Sequence, residues 1–191
     1  MRLPLLWLHD HVDPGLSAEA LAERLAMTGT EVDRVHPHGV AALEFFRVGR
    51  VISAERHPDA DRLTVCSVDL GEGEPHQIVC GAPNVAAGQI VAVASPGAIM
   101  PDGTRLKKAK LRGQESRGMI LAEDELAIGT DHDGIMVLPE GLPVGSPLAD
   151  ALPIATDVLE LEITPNRPDC LSIYGVAREV KIGRASCRER V

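Results

Sequence analysis

Apolar residues along this chain follow two rhythms, one near its ends and another in its middle. Ala18, Leu21, Ala22 and Leu25 lie at i, i+3, i+4 and i+7, the single stripe of an amphipathic helix. Ser17 is placed to cap that helix, and Glu19 and Arg24 suit the two ends of its dipole. Gly29 supplies a stop, so a helix is expected from Ser17 to Met27. Ser172, Ile173, Val176, Ala177 and Val180 predict a second capped helix. Strands are expected at Leu3 to Leu8, at Thr30 to Val35, and around Val158, Leu159, Leu161 and Ile163.

The middle has short apolar runs at 43–54, 62–70, 76–81, 89–94, 118–122 and 135–138. Turn words separate them: Gly71-Glu72-Gly73, Pro83-Asn84, Pro101-Asp102-Gly103, Gly129 and Gly134. Many short strands between such turns predict a sandwich or barrel. The imperfect alternation of Leu63, Val65, Cys66, Val68 and Leu70 predicts a bulge in the 62–70 run. A short helix is expected at Glu123 to Ile128. Strand, helix and strand within residues 1–39 cannot bury a helix alone, and residues 157–180 offer the missing surface. The expected organisation is therefore a small α+β domain split between 1–39 and 152–180, with an all-β domain inserted at 40–151.

Charge sharpens the picture. The chain carries a net −9, yet residues 105–117 hold Arg105, Lys107, Lys108, Lys110, Arg112 and Arg117 against Glu115. That is 6 − 1 = +5, so the remainder sums to −14. A local positive field on an acidic protein suits phosphates, and Gly113 and Gly118 would let backbone approach a ligand closely. The plainer reading is a solvated hairpin whose lysines discourage edge pairing. Aromatic residues are only 2%: Trp7, Phe45, Phe46 and Tyr174. One of the Phe45-Phe46 pair is expected in the core, which leaves almost no ring for base stacking. Contact with phosphate and shape is the expected mode.

Three words stand in order along the chain: His57-Pro58-Asp59-Ala60-Asp61-Arg62-Leu63, then Gln77-Ile78-Val79-Cys80-Gly81-Ala82-Pro83-Asn84-Val85, then Lys110 through Leu121. Together they resemble the tRNA-binding OB-fold domain of several aminoacyl-tRNA synthetases and free-standing tRNA-binding proteins. The flanks, Met1 to Gly39 and Leu159 through Glu179, resemble the split domain around that OB-fold in the bacterial phenylalanine–tRNA ligase beta subunit family. The resemblance implies an OB-fold barrel inserted into a split α+β domain, with tRNA as a partner. It places Arg105, Lys107, Lys108, Lys110, Arg112, Ser116, Arg117, Gly118 and Met119 on the tRNA-facing surface. It further implies an α₂β₂ assembly in which an alpha subunit uses ATP and Mg²⁺ to attach phenylalanine to tRNA. No catalytic residue, metal site or cofactor is expected within this piece. An autonomous tRNA-binding module and a structural domain without RNA are the alternatives.

Other chemistry has weaker support. Cys80 with a histidine such as His57 could form a nucleophilic pair, but Cys66 and Cys80 sit in apolar runs that suit buried reduced thiols. No C-x-x-C occurs. Asp131, Asp133, Gly134 and Glu140 fit part of a calcium-loop frame, with Gly129 where the first ligand belongs. His9-x-His11 and His36-x-His38 each place two rings on one face of a strand, without a third ligand. Glu123, Asp124 and Glu125 suit a helix N-terminus. Asn166-Arg167-Pro168-Asp169 reads either as a rigid turn or as a contact through Arg167. Leu3 to Leu8 is too short for a signal core or a bilayer span, so a cytoplasmic location is expected. After Val180 the string Lys181 to Val191 resembles a translated sequencing adapter and is expected to be foreign to the fold.

Overall fold

The computed structural model describes the backbone of residues 1–188. Its elements in order are β1 (Arg2–Pro4), α1 (Leu5–His9), α2 (Ala18–Met27), β2 (Glu31–Gly39), β3 (Phe46–Arg56), β4 (Thr64–Asp69) and β5 (His76–Cys80). There follow β6 (Ile90–Ala94), β7 (Ala109–Leu111), β8 (Gln114–Ser116), β9 (Met119–Ile120), β10 (Val137–Leu138), β11 (Ala155–Glu162) and α3 (Ile173–Arg188). The chain is a mixed α/β protein of mostly antiparallel strands, and it divides into two compact units. One comprises Met1–His38 with the chain from Thr156 onward; the other is Gly39–Ala155.

In the first unit, β1, β11 and β2 form a sheet in that order, with Leu3 opposite Leu159. Ser17 caps α2 by accepting from the Ala20 N–H at 3.3 Å. Gly29, at φ +94°, ends the helix where a side chain would be strained. Ser172 caps α3 through the Gly175 N–H at 3.1 Å. Leu21 and Leu25 of α2 and Val176 and Val180 of α3 join Leu3, Leu8, Leu159 and Leu161 in one core. The expected strand over Leu3 to Leu8 breaks at Pro4. Proline has no N–H for continuing a ladder, and it sits well at the entry to a helix. Leu5 and Leu8, three apart, are then buried on one side of α1. His9 closes that helix, so His9 and His11 are not paired on a strand. Helix α3 continues through Arg188, whereas Glu189–Val191, part of the segment expected to be foreign, lie outside the described residues.

The second unit is built on a bent antiparallel sheet ordered β10-β6-β3-β4-β5, with β9 also paired to β6. Central β3 uses Phe46 to Arg50 against β6 and Arg50 to Arg56 against β4. Gly49 lies where it changes partner. A Cβ there would meet Val68 and Val93 side chains at 2.9 Å, so only glycine lets the neighbouring strands close over this point. The register slips between Val51 and Ser53 and leaves Ile52 exposed. The bulge is therefore on β3 and not in the 62–70 run. Leu63 precedes β4 and closes a turn by accepting from the His57 N–H, which is why alternation fails there.

Both faces of the sheet are covered. Phe46, Val48, Ile90, Ala92 and Ala94 pack under the 98–106 and 121–154 segments. Val51, Cys66, Val68, Ile78, Val91, Val93 and Ile120 form a second cluster on the other face. Phe46 is the fully buried ring of the pair, while Phe45 is half-buried. The run expected from 43 starts as a strand only at Phe46, after a 3₁₀ turn at Leu43–Phe45 entered through Ala42 at φ +58°. The helix expected at Glu123 to Ile128 is a 3₁₀ turn, Asp124–Leu126. Among the described residues no ladder joins β5 to β9. The segment that leads into β9 meets β5 through one backbone bond, Arg117 N–H to Gln77 carbonyl at 2.8 Å, and through Ser116.

Candidate nucleic-acid interface

Residues 109–116 of the basic run fold as the hairpin of the plainer reading, with strands that apolar alternation does not mark. Ala109 pairs with Ser116, Lys110 with Glu115 and Leu111 with Gln114. Arg112 (φ +44°) and Gly113 (φ +94°) form the turn between them. Positive φ at both central residues matches the right-handed strand twist of a two-residue hairpin. Isolated two-stranded hairpins are marginal in water, and this one is tied down at several points. At its entry the Leu106 N–H donates to the Ala98 carbonyl at 2.8 Å, and at its exit Arg117 donates to Gln77. The Gln77 amide donates to the Glu115 carbonyl at 2.9 Å and to Gln114 Oε1 at 3.2 Å. His57 Nε2 lies 3.1 Å from the Leu111 carbonyl.

This scaffold presents Arg105, Lys107, Lys108, Lys110, Arg112 and Arg117 to solvent. Arg117 pairs with Glu115 at 3.2 Å. The other five form no ion pair with a described residue. An open depression of about 560 Å³ beside Gln77 is flanked by Lys108 and Lys110. Ser116, Gly118 and Met119 lie differently. The Ser116 hydroxyl is buried, accepts from the Val79 N–H at 3.1 Å and donates to the Gly118 carbonyl at 2.9 Å. Gly118 faces the sheet, where a Cβ would stand 2.7 Å from the Ala94 carbonyl oxygen. Its lack of a side chain serves this internal approach. Met119 packs against the Phe46 cluster. These three shape the corner that carries the cations. The roles of Gln77 and His57 at this surface depend on strand pairing, which charge and motif spacing do not show.

The other candidates resolve into structure. Both His57 ring nitrogens have partners, the Asp59 N–H and the Leu111 carbonyl, and neither is Cys80. Cys80 Sγ accepts from the Ala82 N–H at 3.4 Å, and burial raises its pKa. Burial, with Cys80 nearby, pushes Cys66 up to about 11. Both thiols are thus held protonated, against nucleophilic chemistry. The Asp133 N–H donates to Asp131 Oδ1 at 2.9 Å, a turn closure. Glu125 accepts from the Ala122 N–H, and Asp124 meets His132 Nδ1 at 2.7 Å, which raises the histidine pKa. Among the described residues, Asp169, Cys170 and Glu179 are grouped as cation ligands would be. Arg167 already fills that role. Its guanidinium lies 3.1 Å from Asp169, 3.0 Å from Cys170 Sγ and 2.7 Å from Glu179.

Residues 46–147 match the family model described as "Putative tRNA binding domain". The chain belongs to that family. It is also similar to the phenylalanine–tRNA ligase beta subunit of Nitratidesulfovibrio vulgaris, at 54% identity over 183 residues, which is 95% of this chain and 23% of that protein. The beta subunit of Desulfotalea psychrophila is 50% identical over 189 residues, which is 96% of this chain and again 23% of that protein. The chain thus spans about a quarter of the length of these curated relatives. Among solved structures, the MetRS related protein from Pyrococcus horikoshii matches 53% of this chain and 85% of its own at 28% identity, with a TM-score of 0.40. No helix among the described residues is long and apolar enough to cross a membrane.

Proposed function

We propose that this chain is the tRNA-contacting, non-catalytic amino-terminal part of a phenylalanine–tRNA ligase beta subunit. The observation that carries the reading is the anchored hairpin with the segment leading into it, whose five cations without an ion pair among the described residues lie inside the segment matched to the tRNA-binding family. In this reading the Gly39–Ala155 sheet completes an OB-type barrel, with the corner at Ser116 bridging its β5 and β9 edges. Lys107, Lys108, Lys110, Arg112 and Arg117 meet phosphates, and Arg105 extends the field. Phosphate contacts position a backbone without reading bases, in keeping with the scarcity of aromatic platforms.

The parent enzyme would attach phenylalanine to tRNA with ATP and Mg²⁺ in its alpha subunit, as part of a cytoplasmic α₂β₂ assembly. Neither cofactor is assigned to residues of this chain. A structural role without RNA is the second reading, favoured by the inward turn of Ser116, Gly118 and Met119. Backbone amide exchange of the full chain with and without phenylalanine tRNA separates the two. Protection centred on 105–117 is expected. An unchanged exchange pattern at saturating tRNA supports the structural reading.

A further inference from the structure

We infer that His57 is a positioning residue for the basic hairpin, holding the Leu111 carbonyl between Lys110 and Arg112 through one fixed imidazole tautomer. The inference rests on reading that hairpin as the RNA-contacting surface. His57 is only 5% exposed. Its Nδ1 accepts the Asp59 N–H at 3.0 Å. A ring nitrogen that accepts carries no proton, so the neutral ring bears its proton on Nε2. That proton points to the Leu111 carbonyl at 3.1 Å, a group that can only accept.

The anchor itself stands on a closed turn. The His57 N–H donates to the Leu63 carbonyl at 3.0 Å, and the Leu63 N–H donates to the Ala60 carbonyl at 3.2 Å. Gln77 and Ser116 hold β8 to β5, whereas His57 holds β7 from the β3–β4 connection. The held carbonyl immediately precedes Arg112, a non-glycine residue at φ +44°. Such a conformation persists only where its surroundings enforce it. Fixing the backbone between two cations lowers the ordering cost when both meet phosphates at once.

Two substitutions isolate the strut from the turn. In His57→Asn the shorter amide oxygen still accepts the Asp59 N–H, as asparagine does in turns, but its nitrogen cannot reach Leu111. In His57→Gln the amide nitrogen extends as far as Nε2 and can donate to Leu111. The readouts are amide exchange within 109–116 and affinity for phenylalanine tRNA. We expect His57→Asn to speed hairpin exchange and weaken binding about 3- to 10-fold, the span of one neutral hydrogen bond. The slope of log K against log salt should stay unchanged, since the phosphates met are the same. His57→Gln should restore both readouts toward wild type. Wild-type hairpin exchange in His57→Asn would overturn the strut. Faster exchange with unchanged affinity would overturn the positioning role. Equal behaviour of the Asn and Gln variants would also overturn it. Exchange without tRNA is independent of the functional reading. Failure of that reading shows instead as wild-type affinity after Lys108, Lys110 and Arg112 are all reversed to Glu.

Discussion

Two positively charged words in this chain meet opposite fates. Around Arg167, the cation is surrounded by its own protein: Asp169, Cys170 and Glu179 all bond the guanidinium. Along the basic run, Arg105, Lys107, Lys108, Lys110 and Arg112 face solvent without an ion pair to a described residue. Arg167 is spent on joining the turn before α3 to the helix, while the hairpin charges stay available. A basic residue is thus a candidate for phosphate only after its local carboxylates have been counted. Spacing differs too. Arg167 sits two residues from an acid in a turn, whereas most hairpin cations alternate with apolar or small residues and meet only Glu115.

The contrast breaks most sharply under charge reversal. Changing Lys108, Lys110 and Arg112 together to Glu should weaken tRNA binding by at least about 100-fold, since phosphate contacts dominate such affinity. Thermal stability should barely move, because exposed charges contribute little to folding. Arg167→Met should do the reverse. Fluorescence anisotropy should find tRNA affinity within about twofold of wild type, while calorimetry finds a lower Tm. A large affinity loss in Arg167→Met would erase the distinction between the regions.

Ser116→Ala is expected to give an intermediate effect. It leaves the buried Val79 N–H without its acceptor, which costs about 1–3 kcal/mol of stability. Urea unfolding measures this, and an unchanged midpoint would show that the hydroxyl is dispensable.

The smallest expected effect is a pH dependence. Arg167 hydrogen-bonds Asp169 and lowers its pKa below the ordinary 3.8. The interaction therefore contributes fully above the unfolded-state value and is lost as pH falls through the folded one. Below about pH 4 the wild type should lose stability faster than Arg167→Met, as followed by Tm against pH. Parallel curves would mean that Asp169 titrates alike folded and unfolded.

What could be read from the sequence depended on periodicity. Ala18, Leu21 and Leu25 announced α2 because a helix stripe, a cap and a stop agreed. The apolar runs at 76–81 and 89–94 announced β5 and β6 nearly to their ends. A solvated hairpin was the plainer reading of the basic run, but its strand bounds were not legible, since Ala109 to Leu111 lie wholly on the surface and carry no alternation. Their turn uses Arg112-Gly113, a weaker signal than Asn-Gly. Leu3 to Leu8 misled because a proline divides two elements within one apolar run. The cations of the candidate site were legible as charge. The inward roles of Ser116 and Gly118, and the anchoring by His57 and Gln77, arise from contacts between segments distant in sequence.

If the free charge of the basic run, and not stacking, drives association with tRNA, a salt titration of tRNA binding will show it. Each phosphate neutralised contributes about −0.7 to −0.9 to the slope of log K against log salt. With about three phosphates met, the wild type should show a slope of about −2 to −3. The triple Glu variant should show no measurable binding over the same range. Wild-type binding with a slope near zero, or equal affinities for the two proteins, would contradict the account.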